Sequence, residues 1–350
     1  MTTHSERIVR QNITDDGMMG AALREARKGL GRTSPNPAVG AVLLINRRVA
    51  SKGHHALAGL AHAETECLRR FKKPVPKNAV LYVTLEPCST FGRTGPCTQA
   101  IIQAGVQQVV IGAPDPNPRH AGRGIEILKK AGLEVRSGVL AEECSALNEA
   151  YNKWITTKRP FVIAKCGMSL DGRLSRPPGE TRWITSTASR THAHRLRGQV
   201  DAILIGAETL RADNPRLTLR GARGARQPWR VVLSRSGSLP RQARLFSDRF
   251  AERTIVCNEK SLDVVLRDLG EREITSVLIE GGGEILGQAL DQRLVDKVQL
   301  YVGQIFTGGP VIAFAGLGAG STQEAPRLDR VRYERIGQDV CVIGYPIYPT

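Results

Sequence analysis

Two short segments, His62-Ala63-Glu64 and Pro87-Cys88 with Cys97, constrain the fold of this chain more than any other feature. One imidazole and two thiolates suit zinc and leave a fourth coordination position open. An open position is typical of catalytic zinc, which lowers the pKa of a bound water to about 7. If the three side chains bind one metal ion, the fold must bring both segments to a single point.

Two other interpretations of these residues stay open. A structural zinc site usually has four protein ligands and a Cys-x-x-Cys knuckle, whereas eight residues separate Cys88 from Cys97 and no fourth ligand is evident nearby. The cysteines could also be buried thiols without a metal. The combination of His-x-Glu, Pro-Cys and a second cysteine is the pattern of zinc-dependent base deaminases. It favours a catalytic zinc site in which Glu64 moves protons without binding the metal.

The length of 350 residues predicts two domains. Helices and strands alternate in both halves, which indicates mostly parallel sheets with helices on both faces. We place the boundary at Lys158-Arg159-Pro160, giving domains 14–158 and 159–350. The predicted elements of the first half include a helix capped by Asp15 or Asp16, a helix from near Ala61, a strand over 79–85, a helix from Cys97 and one helix over 141–154.

Neither a membrane span nor a secretory signal is expected. No apolar run approaches transmembrane length, and residues 1–13 are polar. Five of the seven cysteines, Cys67, Cys144, Cys166, Cys257 and Cys341, show no paired spacing. We therefore expect buried thiols in a reducing compartment, and a cytoplasmic enzyme.

Much of the formal net charge of +17 lies in one segment. Between Asn214 and Arg253 there are ten arginines and only two acidic residues. Aromatic residues do not interleave there at the spacing of a base-stacking platform. A solvated surface segment is the favoured interpretation, and contact with a polyanion is the alternative.

A glycine run in the second half, Glu280-Gly281-Gly282-Gly283, lies between a predicted strand and a predicted helix. Glycines at such a junction let a phosphate approach the backbone and the helix N-terminus. The run lacks the Gly-x-Gly-x-x-Gly spacing of dinucleotide sites, so a simple tight turn is equally consistent with it. Pattern alone does not predict a reductase here.

Taken together, the motifs resemble the family of bifunctional riboflavin-biosynthesis deaminase/reductases, the RibD family. The resemblance runs from about Asp16 to near the C-terminus. It rests on the order and spacing of many segments: Pro35-Asn36-Pro37-Ala38-Val39-Gly40, Gly53-x-His55 through His62-Ala63-Glu64, Glu86-Pro87-Cys88-Ser89 with Gly92-Arg93-Thr94 and Cys97, Asp115-Pro116-Asn117-Pro118 with Gly122-x-Gly124, Ser169-Leu170-Asp171-Gly172, Trp183-Ile184-Thr185-Ser186, Ala212-Asp213-Asn214-Pro215 through Arg220, and Glu280-Gly281-Gly282.

The resemblance implies a cytidine-deaminase-like α/β/α domain followed by a dihydrofolate-reductase-like α/β domain. It also implies two consecutive reactions. A diaminopyrimidinone carrying a phosphoribosylamino group would lose a ring amino group as ammonia, and NADPH would then reduce the ribosyl group to ribityl. The implied cofactors are one zinc ion per chain and NADPH.

The resemblance also implies roles for individual residues. His62, Cys88 and Cys97 would bind zinc and Glu64 would be catalytic. Asn36 and His55 would hold the pyrimidine. The residues implied to contact NADPH are Gly167, Trp183, Thr209, Asp213, Gly282, Gly283, Glu284, Ile285, Leu286, Gly287 and Gln288. Those implied to contact the ribose phosphate substrate are Thr181, Arg197, Leu217, Arg220 and Glu280.

The chain departs from the family pattern at Thr90, Gly95 and Ser234-Arg235, and we assign no cofactor contact to Arg235. The expected partner is a small phosphorylated pyrimidine, without nucleic acid or membrane, and homo-oligomer formation is left open. Two competing functions share the zinc pattern. One is a nucleic-acid base deaminase with a basic RNA-binding second domain. The other is a scaffold with structural zinc, which would tolerate loss of Glu64.

Overall fold

The computed structural model describes residues 14–91, 95–174, 183–221 and 226–349. The chain divides into two compact units between Asn152 and Lys153, and each unit is described by itself. Within the described ranges, no helix is both long and apolar enough to cross a membrane.

The first unit is built on a sheet in which the described strands have the order β2-β1-β3-β4-β5. Strand β1 is antiparallel to β2 and β3, whereas β3, β4 and β5 are parallel. The strands are β1 Gly40–Ile45, β2 Arg48–His54, β3 Val80–Leu85, β4 Gln108–Ala113 and β5 Glu134–Ser137. The helices are α1 Asp15–Ala26, α2 Ala63–Phe71, α3 Cys97–Gln103, α4 Arg123–Lys130, α5 Ala141–Leu147 and the start of α6, which runs over Glu149–Thr157 and crosses the division between the units.

The core of this unit lies around β1, β3 and β4. These strands are runs of apolar residues and are almost completely buried, as expected for strands covered on both faces. A Cβ on Gly53 of β2 would lie 2.4 Å from the carbonyl oxygen of Ala63. Glycine is therefore needed for α2 to pack directly on β2.

Two predictions for the first unit were wrong in detail, and one strand was missed. Strand β2 was not predicted, because its sequence RVASKGH is largely exposed and lacks an apolar alternation. The cap of α1 is Thr14, whose hydroxyl accepts the N–H of Gly17, and neither Asp15 nor Asp16. The helix expected over 141–154 is two helices, α5 and α6, separated at Asn148.

The second unit contains a sheet in which the described strands have the order β12-β13-β11-β6-β10-β7-β8-β9. All pairings from β11 through β9 are parallel, and β13 and β12 add antiparallel pairings at one edge. The strands are β6 Phe161–Met168, β7 Ala202–Gly206, β8 Trp229–Ser234, β9 Thr254–Asn258, β10 Ser276–Ile279, β11 Lys297–Val302, β12 Arg327–Ile336 and β13 Asp339–Ile347. The helices are α7 Thr187–Leu196, α8 Ala207–Asp213, α9 Arg244–Ser247, α10 Leu262–Glu271 and α11 Gly283–Asp291.

The core of the second unit forms between the central strands and helices α10 and α11. The part of α6 from Lys153 onward belongs to the second unit and makes contacts within it. The indole N–H of Trp154 donates to the carbonyl oxygen of Gly270 at 2.8 Å, and Lys153 pairs with Asp296. Strand β12 was not predicted, because it lies at the sheet edge and its charged residues are mostly exposed.

Candidate functional site

The three predicted metal ligands converge. The ligand atoms of His62, Cys88 and Cys97 all lie within 4.8 Å of one another. Nδ1 of His62 is 3.2 Å from Sγ of Cys97 and 3.5 Å from Sγ of Cys88, so Nδ1 is the nitrogen that faces the sulfurs. One imidazole nitrogen and two thiolates at this separation fit a zinc ion with a position left for a further ligand.

Three elements bring the ligands to this point. His62 is the residue immediately before α2, Cys88 follows the end of β3, and Cys97 is the first residue of α3. The backbone N–H of Cys97 donates to Sγ of Cys88 at 3.3 Å. Hydrogen bonds from Cys97 and His62 hold the pKa of the Cys88 thiol well below its ordinary value, whereas the hydrogen bond with Cys88 and burial raise the pKa of Cys97. Cys88 is therefore the thiol of the pair that ionises first, giving a thiolate of the kind that a metal requires.

Glu64 lies in the first turn of α2 and is buried beside the three ligands. Burial and the nearby Cys88 thiolate raise the pKa of its carboxyl group to about 7. A carboxyl group with such a pKa can both give and take a proton near neutral pH. The structure thus places Glu64 where the sequence pattern requires it.

Asn36 and His55 lie next to the metal ligands and contact each other. The ring centroids of His55 and His62 are 5.2 Å apart. Nδ1 of His55 is 3.1 Å from the carbonyl oxygen of Ala61, an acceptor, so Nδ1 carries the proton of the neutral ring. Burial lowers the pKa of His55 and favours this neutral form.

The tautomer of His55 fixes the orientation of the Asn36 amide. Nε2 of His55 is then an acceptor, and Nδ2 of Asn36 donates to it at 3.2 Å. Oδ1 of Asn36 makes no hydrogen bond within the described part of the chain. It is left as an acceptor for a ligand N–H.

A buried asparagine supports the loop that carries Asn36. The side chain of Asn148 accepts the N–H of Ala38 at 2.8 Å and donates to the carbonyl oxygen of Ala38 at 3.0 Å. Asn148 is the residue that separates α5 from α6. The break in the predicted helix therefore places an amide against the backbone two residues after Asn36.

In the second unit the predicted substrate residues Arg197 and Glu280 form a bidentate ion pair. Nε and Nη2 of Arg197 donate to Oε1 and Oε2 of Glu280 at 2.7 and 2.9 Å. Nζ of Lys165 lies 3.7 Å from Oε2 of the same carboxylate. Burial alone would raise the pKa of Glu280, but the charges of Lys165 and Arg197 outweigh it and lower the pKa to about 2.

Arg220 approaches this cluster through its backbone. The N–H of Arg220 donates to Nε2 of His194 at 2.8 Å, and Nη1 of Arg197 donates to the carbonyl oxygen of Thr218, two residues before Arg220, at 3.4 Å. Leu217 has its side chain buried and its φ at +50°, so the polar groups that it can present are those of its backbone. Thr181, also predicted to contact substrate, lies outside the described residues.

The glycine run forms the junction between β10 and α11, as predicted. Gly282 is the residue before α11, and its N–H donates to Oγ1 of Thr209 at 3.0 Å. A Cβ on Gly282 would meet only Thr209 Oγ1, at an ordinary 3.4 Å, whereas one on Gly283 would lie 1.8 Å from the carbonyl oxygen of Ile312. Gly283 is needed for packing, and Gly282 leaves its surroundings open.

The other predicted cofactor residues differ in their exposure and in the elements that carry them. Trp183 is 62% exposed, with the guanidinium of Arg190 4.5 Å from its ring centroid. Leu286 is fully buried in the core, so its side chain does not face a ligand. Glu284 pairs with Arg235 at 3.2 Å. The remaining predicted residues lie on β6, at the end of α8 or on α11: Gly167, Asp213, Ile285, Gly287 and Gln288.

Two charged residues of these sites were not identified from the sequence. Lys165 interrupts the otherwise apolar strand β6, and that interruption was an available signal. Glu86 is buried directly before Pro87-Cys88, and only its position beside a ligand could have drawn attention to it. Its partners lie 29 to 39 residues further along the chain.

Comparison with known proteins places both halves of the chain in known families. Residues 160–342 match the RibD C-terminal domain. Residues 12–113 match the zinc-binding region of cytidine and deoxycytidylate deaminases. The prediction of a deaminase-like domain followed by a reductase-like domain is thereby confirmed.

Full-length relatives agree with this. The riboflavin biosynthesis protein RibD of Synechocystis sp. is 38% identical, covering 95% of this chain and 96% of that protein. RibD of Aquifex aeolicus is 36% identical, with 94% and 97% covered. A crystal structure from Thermotoga maritima, described as a diaminohydroxyphosphoribosylaminopyrimidine deaminase/5-amino-6-(5-phosphoribosylamino)uracil reductase, is 36% identical with a TM-score of 0.86, covering 95% of this chain and 99% of that chain. RibD of Acinetobacter baumannii is 32% identical with a TM-score of 0.87 and the same coverage.

Proposed function

The chain belongs to the RibD family of riboflavin biosynthesis proteins, and from this membership we propose how its residues carry out its two reactions. It is a bifunctional enzyme, a zinc-dependent deaminase and an NADPH-dependent reductase. The alternative of a nucleic-acid base deaminase required an RNA-binding second half, and that half instead matches the RibD C-terminal domain over residues 160–342.

We assign the reactions to the two parts of the chain. Residues 14–158 would deaminate 2,5-diamino-6-(5-phosphoribosylamino)pyrimidin-4(3H)-one. Residues 159–350 would reduce the resulting aminouracil to 5-amino-6-(5-phosphoribitylamino)uracil. The substrate names on the Thermotoga maritima structure support this assignment.

In the deaminase, His62, Cys88 and Cys97 would hold zinc. When bound, zinc supplies the Lewis acidity that makes water nucleophilic near neutral pH. Glu64 would take a proton from the attacking water and give it to the ring nitrogen. A later proton through the same carboxyl group would reach the leaving amine, so that a C–N bond breaks, a C–O bond forms and ammonia departs.

Asn36 would recognise the pyrimidine through Oδ1. Its amide nitrogen already donates to His55, whose own ring proton goes to the Ala61 carbonyl. The amide cannot flip without placing two acceptors against each other, so a ring N–H or amino group of the substrate would be the preferred partner. His55 would act chiefly by fixing this orientation.

In the reductase, the charged cluster would hold the phosphorylated substrate. Lys165 and Arg197 carry two positive charges and Glu280 one negative charge, which leaves a net positive charge for an anionic ligand. Arg220 would add a guanidinium fork that matches phosphate oxygens. NADPH would lie against the Gly282 turn, Thr209 and Trp183, and it supplies the hydride when bound.

The single observation that carries the proposal is the convergence of His62, Cys88 and Cys97 beside the buried carboxylate of Glu64. The test is incubation with the diaminopyrimidinone phosphate, with and without NADPH, followed by mass spectrometry. We expect ammonia and the ribosyl aminouracil without NADPH, and the ribityl product with it. An unchanged substrate in both arms, from zinc-loaded protein, would contradict the proposal.

We also place the enzyme in the cytoplasm. All seven cysteines are free, which fits a reducing compartment. A small phosphorylated pyrimidine is the proposed partner, and no nucleic acid or membrane is needed for either reaction.

A further inference from the structure

Glu86 is a buried acidic residue that neither of the two proposed reactions uses. It follows β3 and precedes Pro87-Cys88, and 3% of its surface is exposed. Its carboxylate accepts four backbone N–H groups. Oε2 accepts those of Asp115 at 3.3 Å and Gly122 at 3.0 Å, and Oε1 accepts those of Gly124 at 2.9 Å and Ile125 at 3.2 Å.

These four donors belong to the loop after β4 and the first turn of α4. The same region contains the Asp115-Pro116-Asn117-Pro118 and Gly122-x-Gly124 motifs. The first N–H groups of a helix have no partner within the helix. Here one distant carboxylate supplies the acceptors, so it joins this turn to the strand end that leads into Cys88.

The first turn of α4 also packs closely against the Glu86-Pro87 segment. A Cβ on Gly124 would lie 2.2 Å from the carbonyl oxygen of Pro87 and 3.2 Å from Oε1 of Glu86. The first turn of α4 therefore lies directly against the Pro87 peptide. Any shift of this turn would move the peptide that precedes the Cys88 ligand.

Cys88 is held from its other side by α3. Its carbonyl oxygen accepts the N–H of Thr98 at 3.2 Å, and its sulfur accepts the N–H of Cys97 at 3.3 Å. The α3 contacts fix Cys88 relative to Cys97. The Glu86 contacts fix the peptide just before Cys88 relative to the sheet and α4.

We propose that Glu86 is a positioning residue of the metal centre, holding the Pro87-Cys88 peptide so that the Cys88 sulfur meets His62 and Cys97 at the distance a metal ion needs. The inference rests on the proposed role of Cys88 as a zinc ligand. Glu86 acts through Cys88 and touches neither substrate nor metal. The backbone N–H groups between Asp115 and Ile125 bind its carboxylate.

These four backbone N–H donors require a carboxylate as their acceptor. An ionised carboxylate only accepts hydrogen bonds and offers about four lone-pair sites. In Glu86→Gln one oxygen becomes an NH2 group that faces two backbone N–H groups, so two acceptor contacts become donor–donor contacts. Volume and length hardly change.

The experiment measures zinc affinity by competition with a chromogenic chelator, and the charge-transfer band between thiolate and metal in the cobalt-substituted protein. Glu86→Gln should raise the zinc dissociation constant by on the order of 10- to 100-fold, as for other residues that orient metal ligands. It should also weaken or shift the cobalt band. Glu126→Gln, an exposed residue of the same α4 paired with Lys130, should leave both unchanged.

Gly124→Ala tests the same contact with Glu86 intact, and it decides the matter if Glu86→Gln does not fold. Alanine favours a helix more than glycine does, so a loss of zinc affinity would come from the close contacts of the added Cβ with Pro87 and Glu86. Reduction of the deaminated substrate should persist in both variants, which shows that the second unit is intact.

Zinc affinity and cobalt band like those of wild type in both variants, with only a lower melting temperature, would overturn the inference and leave Glu86 a purely structural residue. Cys88→Ser separates this result from failure of the ligand assignment. If Cys88→Ser retains zinc, the proposed metal site is wrong. If it loses zinc while Glu86→Gln and Gly124→Ala do not, only the role of Glu86 is wrong.

Discussion

Arg197 and Glu280 meet side by side, with Nε and Nη2 of the guanidinium 2.7 and 2.9 Å from the two carboxylate oxygens. The pair is nearly buried and lies where the reductase is proposed to bind the substrate. A bidentate pair uses two of the five N–H donors of the guanidinium. We therefore propose that Arg197 holds Glu280 in place within the charged cluster, and that Lys165 and Arg220 supply most of the positive charge for the substrate phosphate.

This pair makes the reductase unit sensitive to acid. Because the pKa of Glu280 is lowered to about 2 from an ordinary 4.5, its contribution to stability is fully present above pH 4.5 and is lost as the pH falls toward 2. In Arg197→Met the carboxylate keeps only Lys165, so its pKa should rise. The free energy of unfolding at pH 7 should fall by about 3 kcal/mol, as for a buried pair that loses one partner.

Denaturant unfolding of the second unit at pH 7 and pH 4 checks this prediction. The difference between wild type and Arg197→Met should shrink at pH 4, where the variant carboxyl group becomes protonated. Arg267→Met, which removes an exposed pair with Asp263, should change stability by less than about 1 kcal/mol. An equal effect of the two substitutions would show that the buried pair contributes little.

A second prediction concerns the metal. Cys88→Ser should lose most of its zinc, because a hydroxyl group is a much weaker zinc ligand than a thiolate. Metal analysis after gel filtration measures this directly. Cys257→Ser, at a half-buried cysteine in the second unit, removes a thiol without touching the site and should keep one zinc per chain. Equal zinc content in the two variants would contradict the ligand assignment.

A third prediction separates proton transfer from metal binding. Glu64→Gln keeps the size of the side chain but cannot carry the proton. Ammonia release should fall by at least ~100-fold, as expected for loss of general acid–base catalysis, while zinc content and reduction of pre-deaminated substrate stay normal. Glu66→Gln, in the same helix and paired with surface arginines, is the matched control and should release ammonia normally. Unchanged ammonia release from Glu64→Gln would refute its role.

The metal site could be predicted from the sequence because each ligand lies in a short motif at the end of an element. His62 precedes α2, Cys97 starts α3, and Cys88 follows the buried strand β3. Local pattern sets these positions, and the sheet then brings them together. The division of the reductase half into parallel strands and helices could be predicted for the same reason.

Other features could not be predicted, because they depend on partners far along the chain. Asn148 separates two helices, and its side chain makes hydrogen bonds with the backbone of Ala38, 110 residues away. The proposed role of Glu86 rests on backbone N–H groups that follow β4, 29 to 39 residues further along the chain. Strands β2 and β12 are polar edge strands, stabilised by backbone pairing with β1 and β13 and not by an apolar pattern.

The last prediction tests the cofactor site, where the sequence pattern was weakest. Gly282 precedes α11, and a Cβ there would make only an ordinary contact with Thr209, so substitution should not disturb the fold. If NADPH phosphate approaches this turn, Gly282→Asn should weaken cofactor binding through bulk alone. Gly282→Asp has nearly the same shape and adds a negative charge, so it should weaken binding further through repulsion. Fluorescence titration with NADPH measures both variants, and mass spectrometry should show product stopping at the ribosyl aminouracil in Gly282→Asp while deamination continues. Wild-type affinity in both variants, with ribityl product still formed, would mean that this turn only connects β10 to α11 and that NADPH binds elsewhere.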